Sequence, residues 1–184
     1  MNKQYSTIGC CGIDCGLCPR FYTQGSSACP GCGGKDFAEK HPSCGYVTCC
    51  SVKRNLEVCA QCNEFPCKRF DAEKKGYDSF VTHQMVFVNQ HSIEQYGIKY
   101  FIDQQQVRID HLVWLLENFD DGRSKNFFCL ACALLPLHTL HENYKNLVKL
   151  DAELDLKVRN MLVKNSLLDA AKALNIELKL RKKQ

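Results

Sequence analysis

The pattern of apolar and polar positions changes character near residue 70. Beyond that point apolar residues recur at i, i+3 and i+4, the spacing that gathers them on one face of an α-helix. The pattern predicts helices at about residues 81–96, 102–119, 124–135, 137–150 and 152–174. Residues 120–123 (Asp-Asp-Gly-Arg) predict a turn, and Pro136 interrupts the pattern because proline lacks the N–H that a helix needs.

The last part of the chain follows a different pattern. Apolar and charged residues alternate from Ile176 to Arg181, which is typical of a β-strand, although a frayed helix end would fit the same residues. The fold class that we expect is α+β. In that fold a small, irregular, metal-organised and cysteine-rich domain, residues 1–70, precedes a helical domain, residues 71–184.

The front of the chain has too few apolar residues for an ordinary core. Residues 9–67 contain six aliphatic side chains: Ile13, Leu17, Val47, Val52, Leu56 and Val58. So small a set cannot offset the loss of chain entropy, and we expect it to be too small to shield an iron–sulfur cluster from water. A structural metal replaces the core in such domains and contributes about 10–16 kcal/mol per zinc in finger peptides.

Cysteine supplies the ligands for such a metal. The chain has 14 cysteines, and all but Cys129 and Cys132 lie between residues 10 and 67. Three C-x2-C elements occur there: Cys15/Cys18, Cys29/Cys32 and Cys59/Cys62. Two thiolates at this spacing converge on one tetrahedral ion, so the pattern indicates zinc sites of four thiolates. The loop from Cys11 to Cys18 carries three thiolates, which keeps an iron–sulfur cluster open as the alternative.

The segment Cys29-Pro-Gly-Cys32-Gly33 is the clearest zinc knuckle in the chain. Glycine after the second cysteine lets the backbone turn tightly and point its N–H groups at the sulfurs. Two knuckles together form a ribbon-like site of four thiolates. One expected combination therefore joins this knuckle to Cys59 and Cys62.

Three stretches carry a resemblance to a known family: residues 11–19 (CGIDCGLCP), 29–32 (CPGC) and 59–67 (CAQCNEFPC). They resemble the bacterial and archaeal cysteine-rich family called domain of unknown function 3795. The resemblance covers residues 9–70 closely and is looser through residues 121–129. It implies a metal-binding module, with zinc as the expected metal, and names no reaction.

The family orders its cysteines as three, two, two and then three, and this order implies ten metal ligands here. They are Cys11, Cys15, Cys18, Cys29, Cys32, Cys44, Cys50, Cys59, Cys62 and Cys67. Cys50 fits the order better than Cys49 because of its spacing to Cys59. Cys10 and Cys49 are extra to the pattern. We expect the ten cysteines to share two or three zinc ions.

Cys129 and Cys132 lie in a strongly apolar helical stretch, residues 127–135, and share one face of it. His138 and His141 follow at the same spacing, but the rise of about 1.5 Å per residue separates the two pairs along a straight helix. We expect the two cysteines to pack in a core. A redox role of the thiols and a metal site are the alternatives.

Charge gives no sign of a nucleic-acid partner. The formal net charge is +4, with 8 basic and 5 acidic residues in 1–70 and 16 and 15 in 71–184, so neither part has a dense basic face. No run approaches the roughly 18 apolar residues of a membrane span. The N-terminus lacks the apolar core of a secretion signal, which predicts a cytoplasmic protein with reduced thiols.

Three classes of function follow from these observations. A zinc-organised interaction or scaffold module is favoured, because closed four-thiolate sites leave no coordination position for catalysis. An iron–sulfur redox or electron-transfer protein is the alternative, and an enzyme with a site between the two domains is the second. No Ser-His-Asp set, nucleotide loop or pair of catalytic carboxylates is evident in the sequence. The partner is expected to be an unidentified protein or small molecule.

Overall fold

The front of the chain is built from single turns rather than long elements. The structure, a computed structural model, describes residues 3–41, 43–71, 73 and 76–183. Helix α1 spans Phe37–Lys40, and α2 (Gly45–Val47) continues directly into a π-helical turn, Thr48–Lys53. Four 3₁₀ turns complete this part: Cys15–Leu17, Gly25–Ser27, Cys59–Gln61 and Lys68–Asp71. No apolar stripe here is long enough to stabilise a full helix.

Five longer helices follow. They are α3 (Val86–Tyr96), α4 (Ile98–Phe119), α5 (Lys125–Leu134), α6 (Leu137–Leu147) and α7 (Leu156–Ala173). Each falls on a helix that the apolar pattern predicts, so the helical part of the prediction is confirmed. No helix among the described residues is both long and apolar enough to cross a bilayer.

The predicted α+β class is wrong, and the protein is essentially all-α. It is 56% helical and 1% strand, and the only strand pairing among the described residues is an isolated bridge between Ile8 and Asp14. The alternating tail forms no strand, because the part of the chain that the structure describes offers no neighbouring strand to pair with it. Its Arg181 instead forms two hydrogen bonds with Asp78: the Arg181 N–H donates to the side-chain oxygen Oδ2 at 2.7 Å, and the Asp78 N–H donates to Arg181 O at 2.9 Å.

The chain forms two compact units. The first comprises Met1–Gln105 with Leu180–Gln184, and the second comprises Gln106–Lys179. The boundary between them falls inside α4. The predicted division into a cysteine-rich domain, residues 1–70, and a helical domain, residues 71–184, stays a prediction.

The first unit has two small apolar clusters instead of one large core. One joins the N-terminal segment to α3 and α4 through Ile8, Val58, Ile93 and Phe101. The other contains cysteines among apolar side chains: Cys10, Cys32, Phe37, Val47 and Cys50. Cysteine therefore forms a large share of the buried surface of this unit.

The second unit has an ordinary helical core. Its fully buried side chains include Leu112, Phe128, Leu135 and Val163. Polar contacts fix the helix ends: Arg108 Nη1 donates to the carbonyl oxygens of Cys132 and Leu135, each at 2.7 Å, and so satisfies two carbonyls at the end of α5.

Candidate metal centres

The front cysteines line two separate cavities of the first unit. The larger has a volume of about 280 Å³ and is lined by seven cysteines: Cys10, Cys11, Cys15, Cys18, Cys29, Cys32 and Cys44. The smaller has a volume of about 20 Å³ and is lined by five: Cys49, Cys50, Cys59, Cys62 and Cys67. No cysteine lines both cavities. All ten predicted ligands fall in this arrangement, six in the larger cavity and four in the smaller.

A tight loop brings the first three predicted ligands to the larger cavity. The Gly9 N–H donates to Ile13 O at 2.8 Å, and the Gly12 N–H donates to Gly9 O at 2.8 Å. Gly12 has φ +96°, and a Cβ there would lie 2.7 Å from Val86 O, so only glycine fits. The chain then turns through Cys15–Leu17 and presents Cys11, Cys15 and Cys18 to the same space.

Backbone hydrogen bonds anchor Cys29 and Cys32 to the larger cavity, while their role as a zinc knuckle stays a prediction. The Cys29 N–H donates to Arg20 O at 3.0 Å, and the Cys32 N–H donates to Ser6 O at 2.9 Å. Gly31 has φ +78°, and a Cβ there would overlap the Ser6 carbonyl. This knuckle lines the larger cavity, whereas Cys59 and Cys62 line the smaller, so the expected four-thiolate site joining the two pairs is not assembled.

Two kinds of turn build the smaller cavity. The π-helical turn carries Cys49 and Cys50 next to each other, and the 3₁₀ turn Cys59–Gln61 leads into Cys62. Cys50 is 2% exposed and its Sγ lies 3.4 Å from Leu56 O, while Cys49 is only half-buried. Both line the cavity, so the preference for Cys50 stays a prediction.

Arg54 places a positive charge directly on the smaller cavity. Its Nη1 donates to Cys62 Sγ at 2.8 Å, and its Nη2 donates to Glu64 Oε1 at 2.7 Å. A guanidinium in contact with a sulfur offsets part of the negative charge of a metal-bound thiolate.

Buried amide side chains hold the cysteine loops against the helices of the first unit. Asn89 Nδ2 donates to Gly12 O and to Asp14 Oδ2, both at 2.9 Å. Gln105 Nε2 donates to Asp14 Oδ1 and, at 2.9 Å, to Thr7 O. Asp14, Asn89 and Gln105 are all at most 6% exposed, so these contacts form in the interior, where an unmade hydrogen bond is costly.

Gln90 contacts a loop of each cavity. Its Nε2 donates to Cys10 O at 2.9 Å, and its Oε1 accepts from the Ala60 N–H at 2.6 Å. Sequence reasoning missed these amides because polar residues on a helix are usually solvated. The signal is their spacing: Asn89 and Gln90 lie at i+3 and i+4 from Val86, on the buried face that continues to Ile93.

Four of the seven thiols of the larger cavity are shielded from water. Cys10 and Cys32 are 1% and 6% exposed, and their sulfurs lie 3.9 Å apart. Cys11 and Cys18 are buried as well, in spite of the few aliphatic residues, whereas the other three cysteines are partly exposed. The cysteines shield one another, and α3 with its buried amides closes the loop from behind.

Burial also controls the protonation of these thiols. It raises the pKa of Cys11 and Cys15 well above the ordinary thiol value. At Cys10 the hydrogen bond with Cys32 lowers the pKa, but the contact with Cys50 and burial outweigh it and raise the pKa to about 12. The metal-free thiols of Cys10, Cys11 and Cys15 are thus neutral at pH 7, and a metal that binds them must displace their protons.

The donor set fits a thiolate-bound metal, although its coordination shell is not preformed. Twelve cysteines around two cavities are the chemistry that zinc and iron–sulfur clusters require. Among the described residues, no three Cys, His, Asp or Glu side chains converge closely enough to hold an ion as they stand. Binding would therefore draw the sulfurs together.

The larger cavity also contains residues that the sequence did not single out. Glu73 Oε2 lies 2.7 Å from His83 Nδ1, and Ser79 Oγ lies 3.0 Å from His83 Nε2. The Tyr46 hydroxyl lies 3.4 Å from the other oxygen of Glu73. All four residues line the cavity. No short sequence motif marks them, because turns of the first unit bring them together.

Cys129 and Cys132 are core residues, as predicted. They are 2% and 0% exposed within α5, and burial raises the pKa of Cys132 to about 12. His141 lies instead beside His111, with ring centroids 5.9 Å apart. Burial and the neighbouring His141 lower the pKa of half-buried His111.

Comparison with protein-family models, with curated proteins and with solved structures gives no match for this chain. The resemblance to the cysteine-rich family therefore stays a prediction that rests on the three sequence stretches alone.

Proposed function

We propose that the protein binds metal through its front cysteines, with one thiolate centre in each cavity, and that these centres organise the first unit as an interaction or scaffold module. The supporting observation is the division of twelve cysteines between two cavities, seven and five, with none shared. Each set is large enough to complete a four-thiolate shell.

Zinc is the metal we propose for the smaller cavity. At about 20 Å³ this cavity is far smaller than the other, and a mononuclear ion needs only four sulfurs at about 2.3 Å. Arg54 offsets part of the negative charge of four thiolates through its contact with Cys62. A closed site of this kind stabilises the fold and performs no chemistry.

Removing one ligand from each cavity tests this proposal. In full-length protein purified without oxygen, Cys29→Ser and Cys62→Ser are each expected to lose the metal of one cavity and to retain that of the other. The double variant is expected to lose both. Cys129→Ser, a buried core cysteine, is the matched control and keeps the full metal content. Elemental analysis of the four proteins gives the answer, and wild-type protein without stoichiometric metal would refute the proposal.

An iron–sulfur cluster is a second candidate for the larger cavity, because two observations favour it there. The volume of about 280 Å³ exceeds what a mononuclear ion needs, and buried cysteines such as Cys11 and Cys18 keep water from the site. A brown protein with about four iron and matching acid-labile sulfide per chain would establish it. Loss of colour in Cys29→Ser but not in Cys62→Ser would assign the cluster to this cavity.

A further inference from the structure

One wall of the larger cavity carries a hydrogen-bonded chain of three polar side chains. Glu73 and Ser79 contact opposite nitrogens of the His83 ring, at 2.7 and 3.0 Å. The side chains of Glu73 and His83 are only 10% and 17% exposed. Asp78 Oδ1 accepts from the His83 N–H at 2.7 Å, so the backbone of the histidine is fixed as well.

This arrangement determines which ring nitrogen is available. A carboxylate can only accept, so the hydrogen bond to Glu73 places the proton of a neutral ring on Nδ1. Nε2 then keeps its lone pair, which the Ser79 hydroxyl occupies by donating to it. Metal-binding histidines have this same partner: the nitrogen that does not bind the metal donates to a carboxylate.

The same three residues resemble a nucleophile, a base and an orienting carboxylate. The surroundings favour a metal instead. Seven cysteines line the cavity beside His83, and such a combination of sulfur and imidazole is a common zinc-binding set. Ser79 is exposed, so its hydroxyl can bond to water instead when a metal ion takes its place at Nε2.

We propose that His83 binds the metal of the larger cavity through Nε2, with Glu73 as its positioning residue. The inference rests on the proposed function and goes further, because a histidine ligand makes this centre a mixed sulfur–nitrogen site. The smaller cavity has no histidine among its lining residues, so the two centres differ in donor type.

Zinc titration of full-length protein tests the proposal. The protein is stripped of metal under reducing, oxygen-free conditions and carries ¹⁵N-labelled histidine. On zinc addition, the Nε2 resonance of His83 is expected to shift while its Nδ1 stays protonated. His91, which forms an exposed pair with Glu94 at 3.3 Å, is the internal reference and should not shift.

Affinity measured by chelator competition gives a second, independent readout. Glu73→Gln is expected to weaken one zinc site by about 10–100-fold, the usual effect of losing the partner of a metal-binding histidine. His83→Gln should weaken that site further, and His91→Gln should leave all sites unchanged. The wild-type resonance carries the test if a variant fails to fold.

The outcomes separate this inference from the function on which it rests. Wild-type protein that binds neither zinc nor iron would refute both. Bound zinc with an unshifted His83 resonance, and equal affinities in His83→Gln and His91→Gln, would refute the histidine ligand alone. Covalent labelling of Ser79 by a fluorophosphonate probe, absent in His83→Gln, would identify a serine nucleophile and overturn the metal assignment.

Discussion

Cysteine is buried in both units, but in two different ways. In the second unit, Cys129 and Cys132 lie on a regular helix and replace aliphatic side chains in a core that would exist without them. In the first unit, Cys10, Cys11 and Cys32 lie on turns, and each has other cysteines as neighbours. Burial alone therefore does not identify a metal ligand. What distinguishes the first unit is that many thiols line the same cavity. They lie on turns that have few apolar contacts to hold them in place.

Metal removal should give the largest difference between the units. We expect chelation under reducing conditions to unfold the cysteine loops of residues 9–67 and to leave α6 and α7 intact, because only the first unit uses thiols in place of a core. Each zinc contributes about 10–16 kcal/mol in finger peptides, more than the total stability of many domains.

Hydrogen exchange followed by mass spectrometry locates the effect. Peptides covering α3 should lose protection with the cysteine loops, since Asn89 and Gln90 bind the backbone of those loops. Equal loss of protection in α7 would show that the units fold as one, and unchanged protection everywhere would show that metal plays no structural role.

Gly12→Ala comes next in expected size. The new Cβ would lie 2.7 Å from the Val86 carbonyl, in a backbone conformation with φ +96°. Overpacking of about 1–3 kcal/mol adds to the conformational penalty of about 1–2 kcal/mol. Gly25→Ala is the matched control, because Gly25 has φ +80° but no atom near its Cβ.

Denaturant unfolding of both metal-loaded variants measures the difference. We expect Gly12→Ala to be the less stable by the overpacking term alone, about 1–3 kcal/mol. Equal stabilities would mean that the Gly12 turn does not press against α3.

Cys132→Ser and Cys32→Ser separate the two kinds of buried cysteine. In Cys132→Ser a hydroxyl replaces a thiol at 0% exposure, which should destabilise the second unit by about 1–3 kcal/mol and leave the metal content unchanged. Cys32→Ser should lower the bound metal. Thermal unfolding and elemental analysis of both variants decide the matter, and equal metal loss would mean that Cys132 is a ligand.

The helices could be predicted from sequence because their signal is local. The apolar stripe that ends at Phe119 repeats over several helical turns, and helix α4 forms over these same residues. The strand predicted at residues 176–181 fails for the opposite reason: alternation is necessary for a strand but says nothing about whether a partner exists.

The metal-ligand candidates could be predicted as residue types but not as groups. C-x2-C spacing shows that Cys59 and Cys62 turn together, while the cavity they face depends on contacts such as that of Gln90 with Ala60, 30 residues away in sequence. The hydrogen bonds of His83 with Glu73 and Ser79 could not be predicted for the same reason, because a turn of the backbone and not a sequence motif brings these side chains together.

The smallest predicted effect concerns the pairing of the tail with Asp78. Burial alone would raise the pKa of Asp78, but hydrogen bonds from the side chain and N–H of Arg181 and from the His83 N–H lower it below the ordinary value. The stabilisation is therefore fully present above the ordinary carboxyl pKa of about 3.9 and is lost as the pH falls through the lowered value.

Asp78→Asn should cost about 1 kcal/mol at neutral pH, as expected for a partly exposed charged pair. The Arg181 amide should exchange faster with solvent in this variant, by NMR. The stability difference from wild type should disappear as the pH falls through the lowered pKa. A difference that persists below that pKa would assign the effect to packing instead of charge.

The pair of Asp78 and Arg181 also determines when, during synthesis of the chain, one wall of the larger cavity can form. Asp78 and Arg181 are 103 residues apart, so at about 5–20 residues per second the ribosome needs roughly 5–20 s to make the partner of Asp78. The ribosome makes all the front cysteines before Asp78. Asp78 in turn holds the backbone of His83, and its own hydrogen bonds to Arg181 form only after Arg181 has been made. A nascent chain can thus present its thiols to metal for several seconds before this wall of the cavity is fixed.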